Sequence, residues 1–267
     1  MMARGLSLLL KRAEDINERK ELGLVAALQF LTIFPVRLKV STNALRRSIA
    51  YFPLVGMLIG GILYGLDRLF ILAFPISLVN ILLIIALTAM TRALHLDGFI
   101  DTCDGLAGGH SPEERLTIMR DSRVGGFGVV GGSLLILLQY VALTVVPNEH
   151  RMAALLLMPT IARWTMVCAI FAYPYAREQG MGKIFQEGRK WPWLAIATAI
   201  TLASCLGLMW LNGLAVMAAA MLVALLAAYW LSRKLGGLTG DTYGAINELV
   251  EVSVLILIPL ITWSYVI

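Results

Sequence analysis

Charge is scarce in this chain. Of its 267 residues only 15% are Asp, Glu, Lys or Arg, against about 25% in soluble domains, which argues against an ordinary water-soluble globule. Cysteine is equally scarce: Cys103, Cys168 and Cys205 are too few and too scattered for a disulfide framework or a zinc site. Cys103 lies within an acidic motif but reads as a space-filling residue. The net charge of +5 is spread between apolar runs and forms no basic stripe, so no nucleic-acid partner is expected. No internal repeat, low-complexity tract or Pro/Gly linker divides the chain. What is abundant is apolar: 59% of residues are hydrophobic and the mean hydropathy is +0.80, the range of integral membrane proteins.

These features predict an all-α polytopic helical bundle. Seven segments approach the ~20 apolar residues that a bilayer requires: 50–66, 69–90, 124–147, 152–176, 191–211, 213–231 and 249–267. An eighth, 22–36, is short and ends at Phe34-Pro35, which suggests a re-entrant or interfacial element. Residues 1–21 mix a brief apolar run with many charges and read as an amphipathic interfacial segment preceding one polytopic domain, 22–267. If 22–36 does not span, 19 of the 22 lysines and arginines fall on one side of the membrane. Only Arg68 and Arg151 lie on the other side, and Arg163 lies within a span. The bias expected of cytoplasmic loops therefore predicts an inner-membrane protein of bacterial type with loop 91–123 inside the cell.

That loop opens on His95-Leu-Asp97-Gly98-Phe-Ile-Asp101-Thr-Cys103-Asp104-Gly105. Spacings of four and seven place Asp97, Asp101 and Asp104 on one helical face. Carboxylates stacked that closely need a cation among them, and Mg²⁺ holding a phosphate is the sharpest candidate. The glycines at 105–109 end this helix. Ser111, Pro112 and Glu114 then start another, as N-cap, N1 and N3, which delivers Arg120, Asp121 and Arg123. Carboxylates for metal and arginines for phosphate suit phosphoryl transfer. Glu113, Glu114 and Arg115 read as an ordinary solvated surface.

A second polar island, Gly236 to Glu248, precedes the last span. Its small residues let backbone approach a ligand, with Gly240, Thr242 and Asn247 as candidate binding residues. Asp241 and Glu248, seven apart, add oxygen ligands. Glu251 enters the membrane, where carboxylates are expensive, and Arg163 could reach a substrate phosphate or pair with a buried carboxylate. His95 is either a general base or structural. Gly126-Phe-Gly128-Val-Val-Gly131 matches a dinucleotide-binding fingerprint by spacing alone, since no strand precedes it. Gly56-xxx-Gly60, Gly61-xxx-Gly65 and Gly128-xxx-Gly132 suit close helix packing, within one chain or in a homodimer.

The stretches His95-Leu-Asp97-Gly98-xx-Asp101-xx-Asp104-Gly105-Leu and Met119-Arg120-Asp121-Ser122-Arg123-Val-Gly125-xx-Gly128 resemble the signature of the cobalamin synthase family. Phe30 to Val36, Tyr51 to Gly56 and Gly237 to Ala245 follow the same pattern in order. The resemblance implies a Mg²⁺-dependent membrane enzyme that joins adenosylcobinamide-GDP to α-ribazole or its 5′-phosphate and releases GMP. On that reading Asp97, Asp101, Asp104 and Asp241, with Glu248, hold metal. Arg120 and Arg123 neutralise charge, and Asp121 or His95 takes the proton of the attacking hydroxyl. Two alternatives fit the residues less well. A CDP-alcohol-type phosphatidyltransferase would need an arginine that Asp104-Gly105-Leu-Ala107-Gly108 lacks. A cation-coupled secondary transporter would keep its aspartates near mid-membrane rather than at the start of a hydrophilic loop.

Overall fold

The computed structural model describes residues 23–34 and 40–263. The interfacial segment expected at 1–21 lies outside the described residues. Helix α1 covers residues 23–31, followed by α2 (Thr42–Ser48), a 3₁₀ turn (Ile49–Tyr51), α3 (Phe52–Phe70), α4 (Ile76–Met90), α5 (Leu94–Gly108) and α6 (Pro112–Ile118). Then come α7 (Gly126–Val145), α8 (Asn148–Ala172), α9 (Met181–Gly188), α10 (Trp191–Leu235) and α11 (Gly240–Trp263). Among the described residues there is no β-strand, only one isolated bridge between Tyr175 and Leu238.

Each of the seven segments expected to span is helical over most of its described residues, with shifted ends. The segment from 69 breaks at Phe74-Pro75, and α4 keeps 15 residues, about 22 Å of helix. The 45 residues of α10 would stretch about 68 Å if straight, twice the hydrocarbon thickness. Instead the chain reverses at Trp210 (φ 50, ψ −131), and Gly213 lies so close to the Cys205 backbone that no Cβ fits between them. Two legs therefore occupy this single run, as the gap between 211 and 213 predicted. Helix α11 begins nine residues before the span expected at 249. Thr239 and Thr242 cap its start reciprocally (Thr239 N–H to Thr242 Oγ1, 2.7 Å; Thr242 N–H to Thr239 Oγ1, 3.2 Å). The second polar island is thus largely helix rather than loop.

The core centres on α8, which is buried along most of its length and packs against α3, α10 and α11. Gly56 and Gly60 bring α3 onto the α8 backbone at Pro159 and Leu155, the close approach expected of their spacing. Gly128 and Gly132 are used likewise, against α5, whereas among the described residues nothing lies within 4 Å of where a Cβ at Gly61 or Gly65 would stand. At one end of the bundle, buried Arg151 donates to Asp67 (2.7 Å) and Asn80 (2.6 Å), and Arg68 also pairs with Asp67. This polar knot ties α3, α4 and α8 together.

At the other end the chain bends by 90° between α4 and α5. Arg92 and Ala93 both adopt left-handed backbone (φ 54 and 55), a conformation that side-chain-bearing residues rarely take. The bend turns α5 out of the spanning direction, and the Arg92 guanidinium reaches the Gln29 carbonyl of α1 (3.3 Å). Five helical runs are long and apolar enough to cross a bilayer, with α4 and α5 together as a bent sixth. The protein is therefore an all-α polytopic membrane protein.

Candidate active site

Glycine decides where α5 sits. A Cβ at Gly98 would collide with the Asp241 backbone, and one at Gly244 would press on the His95 backbone. With glycine at both positions, α5 and the first turn of α11 touch, and the two acidic motifs become one site. Asp97 and Asp241 line a common cavity of about 240 Å³ together with His95, Arg177, Tyr175, Tyr243, Gly240 and Gly244. Arg177 is set beside Asp241 (2.7 Å) by backbone bonds across the isolated bridge: Leu238 N–H to Pro174 O and Ala176 N–H to Leu238 O, both 2.8 Å. The amino end of α11 also faces the cavity, and a helix amino end favours anions.

The cavity has two unlike halves. One carries Asp97, Asp241 and Arg177. The other is apolar, with Phe30, Phe52 and Phe185 in mutual ring contact at 5.0–6.0 Å and with Met166 and Ile170 beside them. Tyr175 stacks on Tyr243 at 6.3 Å.

Asp101 lies one turn along α5, half-buried. Burial, then the charges of Asp97 and Asp241, push its carboxyl up to about 7. Such crowding of carboxylates is relieved by a cation. Among the described residues no three His, Cys, Asp or Glu side chains stand in metal-ligating geometry.

The other expected site residues lie elsewhere. Asp104 accepts the N–H groups of Gly125 and Gly128, both at 2.7 Å, and so caps the amino end of α7. Its two oxygens are occupied by α7, not turned to the cavity. Asp104→Ala should therefore cost about 2 kcal/mol of stability, the range for leaving buried donors unpaired, read as a lowered unfolding midpoint in detergent. The glycine-rich start of α7, which mimicked a dinucleotide fingerprint, is the partner of that cap.

Arg120, Asp121 and Arg123 stand on an exposed turn after α6 and do not line the cavity. Asp121 accepts from the Arg123 side chain and backbone, which holds its carboxyl down at about 2 and makes it a poor base near neutral pH. Arg163, Asn247 and Glu248 are buried beneath the cavity. Arg163 pairs with Glu251 (2.5 Å), Asn247 Nδ2 donates to the same carboxylate (3.0 Å), and Gln139 donates to Glu248 (2.9 Å). Thr242 is consumed in its cap. His95 lines the cavity, but Arg163 Nη2 lies 3.5 Å from its Nδ1. An arginine only donates, so this contact assigns Nδ1 the acceptor role and leaves the proton on Nε2. Burial and Arg163 hold the imidazole well below its usual pKa, so it is neutral.

Sequence reasoning missed Arg177, counting it only as a basic loop residue, and passed over the aromatic wall. The clue to Arg177 was its place in Tyr173-Pro174-Tyr175-Ala176-Arg177, a short rigid stretch directly after a span.

Residues 23–259 match the family model described as cobalamin-5-phosphate synthase. The chain belongs to the cobalamin-5-phosphate synthase family. Relatives named adenosylcobinamide-GDP ribazoletransferase include one from Desulforamulus reducens, 38% identical, with 88% of this chain and 94% of the relative aligned. A Geotalea daltonii protein of the same name is 41% identical (85% and 92%), and one from Pseudomonas paraeruginosa is 40% identical (89% and 98%). No solved structure matches the chain. The aligned region spans the cavity from Phe30 to Gly244, so membership of this family extends to every element that builds it.

Proposed function

We propose that this family member carries out the reaction for which its relatives are named, in the assembly of the cobalamin nucleotide loop. It joins adenosylcobinamide-GDP to α-ribazole or its 5′-phosphate. The observation that carries this reading is the single cavity in which Asp97 and Asp241, from two distant motifs, meet Arg177 and a helix amino end. This is an arrangement for a polyanionic substrate with a cation.

Mg²⁺ fits the donor set, because it takes only one or two protein carboxylates and completes its shell with phosphate and water. Asp97 and Asp241 would hold it, and it would supply charge neutralisation across the diphosphate. The ribose 3′-hydroxyl of the ribazole attacks the cobinamide-bearing phosphorus. The new P–O bond forms as the bond to the GMP phosphate breaks. Arg177, now paired with Asp241, is placed to neutralise the phosphate as charge shifts to the leaving group. Asp101, half-buried one turn along α5, would take the hydroxyl proton through one water. This assignment moves the base from Asp121 and His95 to α5.

The positive-inside bias of the basic loops supports a cavity that faces the cytoplasm from the inner membrane, with lipid around the bundle. Gly61-xxx-Gly65, which packs on nothing among the described residues, is the small-residue face open to a second copy. The deciding experiment is GMP release by detergent-purified protein given adenosylcobinamide-GDP, α-ribazole 5′-phosphate and Mg²⁺. Release is expected to require both substrates and to stop with EDTA. Full release in EDTA would remove the metal from the reaction, and none under any condition from folded protein would remove the transferase reading.

A further inference from the structure

Behind α5, on the side away from the cavity, the bundle is open. Helix α7 packs on α4, α5 and α11, and α10 packs on α8 and α11, but α7 and α10 barely touch among the described residues. Between them lies a groove of about 520 Å³, within the range of ~300–1,000 Å³ at which pockets enclose small-molecule ligands. Its floor is α5 and α11. Phe99, Cys103 and Ala107 follow one another at intervals of four, on the face of α5 turned away from Asp97 and Asp101. Its lips are Phe127 and Val130 on α7 and Trp230 on α10, each more than half exposed. Among the described residues the lining holds no charged side chain. Its one hydroxyl, on Thr102, already donates to the Gly98 carbonyl at 2.6 Å. Apolar spaces of this kind stay dry, and the solvent at the lips of a membrane protein is hydrocarbon.

Depth and charge decide which hydrocarbon. The lining reaches from Phe127, in the first turn of α7, to Leu249, in the third turn of α11. From Gly240 to Leu249 the helix rises about 14 Å, close to half of the ~30 Å hydrocarbon core. The groove is therefore one leaflet deep. It runs inward from the end of the bundle that carries the cavity, and two cations stand at that end. Arg233 and Lys234 follow Trp230 by three and four residues, so they share its face of α10, one turn nearer the helix end. Both are exposed, and neither side chain has a partner among the described residues. Trp230 itself is a residue type favoured at the headgroup level. An apolar slot beneath two free cations complements a lipid tail beneath a phosphate.

We propose that the groove seats an anionic phospholipid of that leaflet, with one acyl chain between α7 and α10 and the phosphate on Arg233 and Lys234. Bound there, the chain braces α5 from behind. It supports the helix that carries Asp97 and Asp101 without entering the cavity. The seat does not depend on the transferase reading, because lipid binding is measured without turnover.

The test uses the full-length protein in neutral detergent, with dioleoyl phosphatidylglycerol or dioleoyl phosphatidylcholine added, plain or brominated in the chains. Bromine quenches tryptophan on contact, and Trp230 is the reporter. In the parent, the quench should half-saturate at about tenfold less phosphatidylglycerol than phosphatidylcholine, the scale for two basic residues beside an anionic headgroup. Plain phosphatidylglycerol at about ten times that concentration should raise the unfolding midpoint by about 3 °C. Trp230→Phe should lose the saturable quench. Arg233→Gln combined with Lys234→Gln should erase the preference between lipids. The lipid-free midpoint of that double variant should stay within about 1 °C of the parent's, since both side chains are exposed. Ala227→Phe fills the groove from α10 and should abolish saturable quenching by both lipids; if it does not fold, the exposed double variant still decides. Equal half-saturation by the two lipids in the parent would overturn the anionic seat. A saturable quench that survives in Trp230→Phe would place the lipid elsewhere. A dimeric parent made monomeric by Ala227→Phe would give the groove to a second copy of the chain instead.

Discussion

Asp97→Asn should lower GMP release about a thousandfold while leaving the protein folded. Asp97 is the exposed carboxylate of α5 on the cavity wall, and no described hydrogen bond ties its side chain to the scaffold. Losing one carboxylate from a two-carboxylate metal site removes several kcal/mol of charge stabilisation at the reacting diphosphate, and about 4 kcal/mol corresponds to three powers of ten. Asparagine keeps the shape and adds no strain, so the elution profile and melting midpoint should match the parent's. Asp241→Asn should give a loss of similar size with a stability cost, because it also strips Arg177 of its counter-ion. A rate within tenfold of normal for Asp97→Asn at saturating Mg²⁺ would put the reacting phosphate elsewhere.

The second large effect concerns folding. Arg163→Met should destabilise the bundle by about 3–5 kcal/mol, the usual consequence of removing one partner from a buried ion pair. Arg163 is fully buried and its Glu251 partner is 1% exposed. The pair joins α8 to α11, with Asn247 donating to the same carboxylate. Combining Arg163→Met with Glu251→Leu should recover most of the loss, because the penalty lies in the orphaned charge rather than in the missing attraction. Unfolding by SDS or urea in mixed micelles measures both variants. If the double variant is as unstable as the single, the pair's value lies in its attraction or packing.

The fold was legible because hydropathy and glycine placement carry most of the information in a membrane chain. Runs near 20 apolar residues marked the spans, and the polar gap near Asn212 foretold two legs within α10. Ser111-Pro-Glu-Glu114 announced α6: Ser111 Oγ accepts from the Glu114 N–H at 3.1 Å. The start of α11 was missed because reciprocal threonine capping extends the helix through residues rich in glycine and polar side chains. Within the site, spacing put three aspartates on one face but could not say what that face meets. One end of it meets the cavity, and the other meets the bare N–H groups of α7, which take Asp104. Arg120, Asp121 and Arg123 carried the right chemistry in sequence, but Asp121 and Arg123 satisfy each other on an exposed turn, outside the cavity lining. Arg177 was invisible for the opposite reason, since its partner is 64 positions away and only the tertiary bridge at Leu238 brings them together.

The Arg163–Glu251 pair has a consequence in time. Glu251 lies 88 residues after Arg163, so at about 5–20 residues per second the ribosome makes the arginine roughly 4 to 18 seconds before its counter-ion. Throughout that interval α8 holds a guanidinium without its counter-ion, at a cost of about 2.5–3.5 kcal/mol if it sits in hydrocarbon. Asp67 waits a comparable 84 residues for Arg151. The cavity is likewise finished last, because Phe30 is made near the start and Tyr243 near the end. A nascent chain of this protein therefore passes through an inactive, charge-frustrated state, and synthesis of the final helix resolves both conditions at once.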